Sequence, residues 1–221
     1  MEVPVAFKDP LNVVEKTMTG AGPSNYHDRV RNAMSLPIMG HLHPETLKIM
    51  DDIKEGVKYL FQTQNELTFC ISGPGHAGLE CALTNLIEDG DTLLIVTQGI
   101  WGQRAENIAK RLNADIQILE KVPGEQVSVE KARKCFRMYK QKVFFIAHGE
   151  SSTGMLQGHL DEFGDLCREF ECLFVVDSVI TLGCVPLYAD KWKIDVIYSG
   201  TQKVLNAPPG ITPISFSEMA L

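Results

Sequence analysis

The 221-residue sequence has no apolar run near the ~18 residues that a membrane-spanning helix requires, so we expect no membrane insertion. It has no surplus of positive charge either. The net charge of −7, with 21 Lys and Arg against 28 Asp and Glu, disfavours binding to nucleic acid. The N-terminus lacks the basic and then apolar pattern of a secretory signal peptide. What remains is a globular protein, for which an apolar fraction of 44% is ordinary.

Cysteine pairs with metal-binding spacing are also missing. None of the six cysteines forms a C-x-x-C pair, and most lie within apolar segments. We therefore predict that the cysteines are reduced core residues in a reducing compartment, without disulfides and without a metal site. The six are Cys70, Cys81, Cys135, Cys167, Cys172 and Cys184.

Short apolar segments alternate with amphipathic segments of helical periodicity along most of the chain. The predicted strands are 67–73, 91–96, 114–119, 143–149, 172–178, 194–200 and 210–217. The predicted helices are 44–62, 76–90, 101–113, 129–140 (capped by Ser128) and 160–170. This order predicts an α/β fold of three layers, α/β/α, with a mostly parallel seven-stranded sheet. The last strand follows too short a connection for a parallel crossover, so we expect it to be antiparallel. Residues 1–43 are predicted to form an N-terminal arm and residues 44–221 one domain.

Ligands of such sheets bind beyond the carboxyl ends of the strands, where this chain places several distinctive residues. A glycine-rich turn at 72–76 opens a helix, Trp101 opens another, Asp177 ends a strand, and Lys203 follows the sixth strand. Singly, these residues have ordinary explanations as turns, core, helix caps and solvated charge. Together they offer backbone N–H groups to a phosphate, an indole to an aromatic ring, a carboxylate to a ring nitrogen and an amine to an aldehyde. That combination describes pyridoxal 5′-phosphate.

Several longer motifs carry a family resemblance. They are GAGPSN (20–25), CISGPGH (70–76), GIWGQRA (99–105), HGESSTGMLQ (148–157), VVDSVITLG (175–183) and YSGTQKVLNAPPG (198–210). From residue 20 to the end, the sequence resembles the alanine–glyoxylate/serine–pyruvate aminotransferases, which are fold-type I pyridoxal-phosphate enzymes. The resemblance implies that residues 44–221 form the cofactor-binding large domain of such an enzyme.

The same resemblance implies roles for individual residues. Lys203 would bind the cofactor as a Schiff base and move the proton, and Asp177 would pair with the pyridine nitrogen. Val179 and Trp101 would lie on the two faces of the ring, with Ser151 near its 3-hydroxyl. The residues implied around the phosphate are Pro74, Gly75, His76 and Gln202.

Three departures from the family pattern affect these expectations. Gly22, in the GAGPSN turn, would lie near the substrate carboxylate, but Ala21 stands where the family has proline. Pro74 replaces a small hydroxyl residue, so a hydroxyl and a backbone N–H are both lost beside the phosphate. Relatives also continue well beyond position 221. We therefore expect this chain to lack their small C-terminal domain and the arginine that binds the substrate carboxylate.

The function expected from the resemblance is transfer of an amino group from alanine or serine to glyoxylate or pyruvate. Two alternatives stay open: a cofactor-binding protein with impaired catalysis, and a 3-hydroxykynurenine transaminase of the same family. GHLHPE at 40–45 favours the alanine–glyoxylate branch. The implied partners are small amino acids, 2-oxo acids and a second copy of the chain, with no nucleic acid and no membrane. The family location is the peroxisome, or alternatively the mitochondrion.

Overall fold

The computed structural model describes residues 4, 10–120 and 124–221, which form six α-helices and nine strands. The helices are α1 (Asp28–Met34), α2 (Pro44–Phe61), α3 (Gly75–Leu86), α4 (Ile100–Arg111), α5 (Val129–Met138) and α6 (Leu160–Glu169). The strands are β1 (Leu67–Ser72), β2 (Thr92–Thr97), β3 (Asp115–Glu120), β4 (Val143–Ala147), β5 (Gly149–Glu150), β6 (Met155–Leu156), β7 (Leu173–Asp177), β8 (Val196–Tyr198) and β9 (Ile211–Phe216). All seven predicted strands and all five predicted helices are present, with ends shifted by a few residues.

Seven strands form one sheet in the order β1-β9-β8-β7-β4-β2-β3. β2, β3, β4, β7 and β8 pair in parallel, whereas β9 is antiparallel to both of its neighbours. The prediction of a mostly parallel sheet with an antiparallel last strand is therefore confirmed. β9 lies inside the sheet, between β1 and β8, so six strands point the same way and their carboxyl ends share one edge.

Helices cover both faces of the sheet, as the nearly continuous apolar strands predict. On one face, α3 and α4 pack through Leu79, Leu83 and Ile108 against alternate residues of the strands, such as Phe145. On the other face, α2, α5 and α6 pack against the intervening residues, such as Phe144. Buried apolar side chains on both faces establish the predicted three-layer architecture.

The predicted N-terminal arm contains two features that the sequence did not indicate. Residues 28–34 form α1, which has no buried residue, and the stretch at 21–27 runs beside the loop that follows Lys203. Residues 1–3 and 5–9 of the arm lie outside the described residues. α2 begins at Pro44 with His43 as its N-cap. The division at residue 43 into arm and domain stays a prediction.

The six cysteines are free thiols, but they are not all core residues. Cys167 and Cys172 are buried, three others are half-buried, and Cys184 is exposed. The prediction that they belong to the core therefore holds only in part. Among the described residues, no cluster of three or more His, Cys, Asp or Glu side chains is arranged to hold a metal. No helix in the same residues combines the length and apolarity needed to cross a bilayer.

Candidate active site

A cavity of about 320 Å³ opens at the carboxyl edge of the sheet. Nine of the ten predicted site residues line it: Gly22, Pro74, Gly75, His76, Trp101, Asp177, Val179, Gln202 and Lys203. The tenth, Ser151, contacts the cavity wall through Trp101. The fold therefore gathers residues from five separate chain segments around one space. The structure shows their proximity, while the role of each residue stays a prediction.

Asp177 is the acidic group of this cavity. It ends β7 and is 4% exposed. Its Oδ1 accepts a hydrogen bond from the Val179 backbone N at 2.8 Å, and its Oδ2 accepts one from the Tyr198 hydroxyl at 2.7 Å. Burial raises the pKa of Asp177 to about 6, a change that these two hydrogen bonds oppose and that Glu150 increases slightly. A cation beside Asp177 would recover the free energy that burial of the carboxylate costs.

Trp101 is held in the cavity wall at two points. Its indole Nε1 donates to Ser151 Oγ at 3.1 Å, and its backbone N donates to Glu150 Oε2 at 3.1 Å. Glu150 is fully buried, and Ser152 Oγ accepts from the backbone N of Ile100. The β5–β6 turn thus supplies the oxygens that cap the N-terminus of α4 and fixes the orientation of the indole.

The N-terminal end of α3 faces the same cavity. Pro74 is the N-cap residue, and Gly75 and His76 form the first turn, so this end presents the positive pole of the helix. Gly75 is required by close packing, because a Cβ there would lie 2.9 Å from Val179 Cγ2. Gln202 lies nearby, and its Oε1 is buried without a hydrogen-bond partner among the described residues. The positive pole of α3 therefore suits this wall to an anionic group, whereas the unpaired Gln202 oxygen can only accept a hydrogen bond.

Gly22 lies directly against the side chain of Lys203 in the cavity lining. Lys203 Nζ donates to the backbone O of Ala21 at 2.7 Å. Gly22 has φ +109°, and a Cβ there would lie 2.5 Å from Lys203 Cδ and 2.8 Å from Nζ. Only glycine meets both requirements, since it tolerates this backbone conformation and leaves room for the lysine.

The structure adds cavity residues that the sequence did not reveal: Pro23, Leu79, Tyr198 and Pro209. Tyr198 is the most informative, because it is fully buried and donates to Asp177. Because Tyr198 stands in a predicted buried strand, the sequence indicated only an ordinary core residue there. The pairing of Asp177 with Tyr198 in the β7–β8 register is what brings the two side chains together.

This geometry agrees with comparisons to known proteins. Residues 14–221 match the family model of the class-V aminotransferases, and the chain belongs to that family. It is similar to the alanine–glyoxylate aminotransferase of Drosophila melanogaster, with 51% identity over all of this chain and 57% of that protein. It is also similar to the alanine–glyoxylate aminotransferase of Rattus norvegicus, with 49% identity over 98% of this chain and 52% of that protein. The crystal structure of an alanine–glyoxylate aminotransferase from Nostoc sp. superimposes with a TM-score of 0.93 at 40% identity, covering 96% of this chain and 56% of that one. The chain thus spans about half the length of the relatives it matches.

Proposed function

We propose that this protein is a pyridoxal-phosphate-dependent aminotransferase that transfers an amino group from alanine or serine to glyoxylate or pyruvate. The observation that carries the proposal is the meeting of Lys203, Asp177, Trp101 and the N-terminal end of α3 in one cavity. The relatives named above support alanine and glyoxylate as substrates. Impaired catalysis is not favoured as the alternative, because the amine and the buried carboxylate are both in place.

The described residues fit this cofactor by their chemistry. The N-terminal end of α3 is suited to its phosphate, to which the amide N–H₂ of Gln202 can donate. Trp101 and Val179 offer flat and apolar contacts to its ring, and Asp177 offers a buried negative charge. The close packing at Gly75 brings the backbone of the helix start against the cavity. These are the partners that pyridoxal phosphate requires in other enzymes.

The residues of the chain would divide the chemistry among them. When bound, the cofactor supplies an aldehyde and an electron-accepting ring. Lys203, which lines the cavity, would bond the aldehyde and, as a free amine, take a proton from the substrate Cα. Asp177 would hold a proton on the ring nitrogen. Its two hydrogen bonds, from Val179 and Tyr198, fix the carboxylate in position for this contact.

The test is a coupled assay of pyruvate formed from alanine and glyoxylate, with the Lys203→Ala variant as blank. We expect turnover that depends on Lys203 and on added cofactor. Pyruvate formation equal in the variant and the parent would refute the assignment.

We also propose a homodimer in the peroxisome, with the mitochondrion as the alternative location. Large apolar side chains are exposed before and along α2, among them Leu36, Ile38, Leu42, Met50 and Tyr59, which supports burial against a second copy. The location rests on the family resemblance. Light scattering of the purified protein tests the dimer, and a monomer at micromolar concentration would contradict it. Imaging of the tagged full-length protein tests the compartment.

A further inference from the structure

One side of the cavity is not built by the sheet or its helices. Gly22 and Pro23 line it, and both belong to residues 21–27, here named the strap. The strap is distant in sequence from the lysine loop, here defined as residues 203–206: Ala21 and Lys203 are 182 positions apart. Its position therefore depends on contacts between the strap and that loop.

Asn206 makes most of these contacts. Its Oδ1 accepts from the backbone N of His27 at 2.7 Å. Its Nδ2 donates to the backbone O of Asn25 at 2.7 Å and to Ser24 Oγ at 2.9 Å. The acceptor and the donors of this one side chain thus bind three residues of the strap, Ser24, Asn25 and His27.

The backbone of Asn206 also restricts which residue can stand there. Its φ is +57°, a left-handed conformation that asparagine adopts more readily than most non-glycine residues. Its own N–H donates to the backbone O of Lys203 at 3.0 Å, so the turn that orients this side chain also contains the lysine. The side chain and the turn together connect the strap to Lys203.

Asn25 extends the connection along the arm. Its Oδ1 accepts from the backbone N of Met18 at 2.7 Å, and its Nδ2 donates to the backbone O of Lys16 at 2.8 Å. Residues 16–18 are therefore attached to the strap, and the strap is attached to Asn206.

We propose that Asn206 is a positioning residue that fastens the strap across the cavity and keeps Gly22 and Pro23 facing Lys203. Its consequence for catalysis rests on the proposed function. The strap carries Gly22, which is expected to meet the substrate, and it has no hydrogen bond to Asp177 or to the start of α3 among the described residues. Loss of Asn206 should therefore weaken substrate binding more than it weakens binding of the cofactor.

The first experiment does not depend on the enzyme activity. Backbone hydrogen exchange of residues 20–31 is compared in the parent protein without cofactor, in Asn206→Gly and in Asn206→Asp. Asn206→Gly keeps the left-handed turn and removes three hydrogen bonds, so the His27 amide should exchange at least about tenfold faster. Asn206→Asp has the same shape but cannot donate to the Asn25 oxygen, and it should also release the strap. This second variant keeps the test valid if the glycine variant is unstable.

Asn113 provides the matched control. It has φ +58°, is exposed, and lies beyond the end of α4, so Asn113→Gly makes the same backbone change far from the strap. The control should leave exchange of the strap unchanged. Parent-like exchange of residues 20–31 in both Asn206 variants, or equal acceleration in the Asn113 variant, would overturn the proposal.

The second experiment measures the catalytic consequence. In Asn206→Gly we expect KM for the amino donor to rise at least about fivefold, with the absorption spectrum and affinity of the bound cofactor unchanged. Inactivity of the parent protein would refute the proposed function and leave the exchange result standing. A variant with parent-like KM, in which the strap is nevertheless released, would overturn the role of Asn206 in substrate binding.

Discussion

Replacing Asp177 with asparagine is expected to stabilise the protein without its cofactor at neutral pH. The carboxylate of Asp177 is buried, and burial raises its pKa from an ordinary 3.8 to about 6. At neutral pH the folded protein therefore carries a charge that its surroundings disfavour. Asparagine has nearly the same shape and no charge, and Tyr198 can turn its hydroxyl to accept from the new amide.

The size of the effect follows from the pKa difference. A change from 3.8 to about 6 is roughly 2 pH units, and each unit corresponds to 1.36 kcal/mol, so the charge costs about 3 kcal/mol above pH 6. Imperfect hydrogen bonding of the amide will reduce the gain. We expect Asp177→Asn to raise the free energy of unfolding by about 1–3 kcal/mol at pH 7 to 8.

The pH dependence gives a sharper test than the magnitude. Below pH 3.8, Asp177 is protonated in both the folded and the unfolded chain, so the substitution should have little effect. Between pH 4 and 6 the folded state holds the proton more tightly, and the parent loses stability as the pH rises. The difference between variant and parent should therefore grow from pH 4 to 6 and then stay constant.

His148 acts in the opposite direction over the same range. Burial lowers its pKa from 6.5 to about 4, so the unfolded chain binds the proton more tightly and the protein gains stability as the pH rises from 4 to 6.5. In the parent, the pH dependence of stability due to His148 nearly cancels the pH dependence due to Asp177. The assay is therefore urea unfolding of the parent and the Asp177→Asn variant without cofactor at several pH values. The free energy of unfolding of the parent is subtracted from that of the variant, which removes the contribution of His148 common to both. A difference that does not change between pH 4 and 7 would refute the reasoning.

Three further predictions concern the cofactor. Borohydride reduction of the protein with bound pyridoxal phosphate should label Lys203, and a label on Lys191 instead would show that the site is wrong. Pro74→Ser restores a hydroxyl and an N–H at the start of α3, so calorimetry should show about tenfold tighter cofactor binding; equal or weaker binding would mean that position 74 does not face the phosphate. Ser151→Ala removes the partner of the Trp101 indole and should weaken cofactor binding by about 1 kcal/mol, with a change in tryptophan fluorescence that a Ser35→Ala control at the exposed end of α1 does not share.

The half of the site built on the sheet could be predicted from the sequence. Each buried strand is an apolar run with a clear end, and parallel strands end at the same edge. Asp177 could therefore be placed beside Trp101 and Lys203, because it ends β7 and they follow β2 and β8. No local sequence pattern shows which residues of neighbouring strands lie side by side in the sheet. Tyr198 looked like core, although the β7–β8 register aims its hydroxyl at Asp177.

The other half depends on contacts that no local pattern encodes. The strap has no apolar periodicity, and α1 beyond it buries no residue, so no local pattern in residues 21–34 indicated where they would lie. Only the family resemblance placed Gly22 near the site. Asn206 looked like an ordinary turn residue before two prolines. Its three side-chain hydrogen bonds reach residues about 180 positions earlier, and they form only after the sheet has placed the lysine loop. By then the sheet has already closed that long separation, and these few polar contacts must offset the entropy of ordering the strap itself. The strap wall should therefore be the first part of the cavity to open, whereas the Asp177 floor opens only when the sheet unfolds.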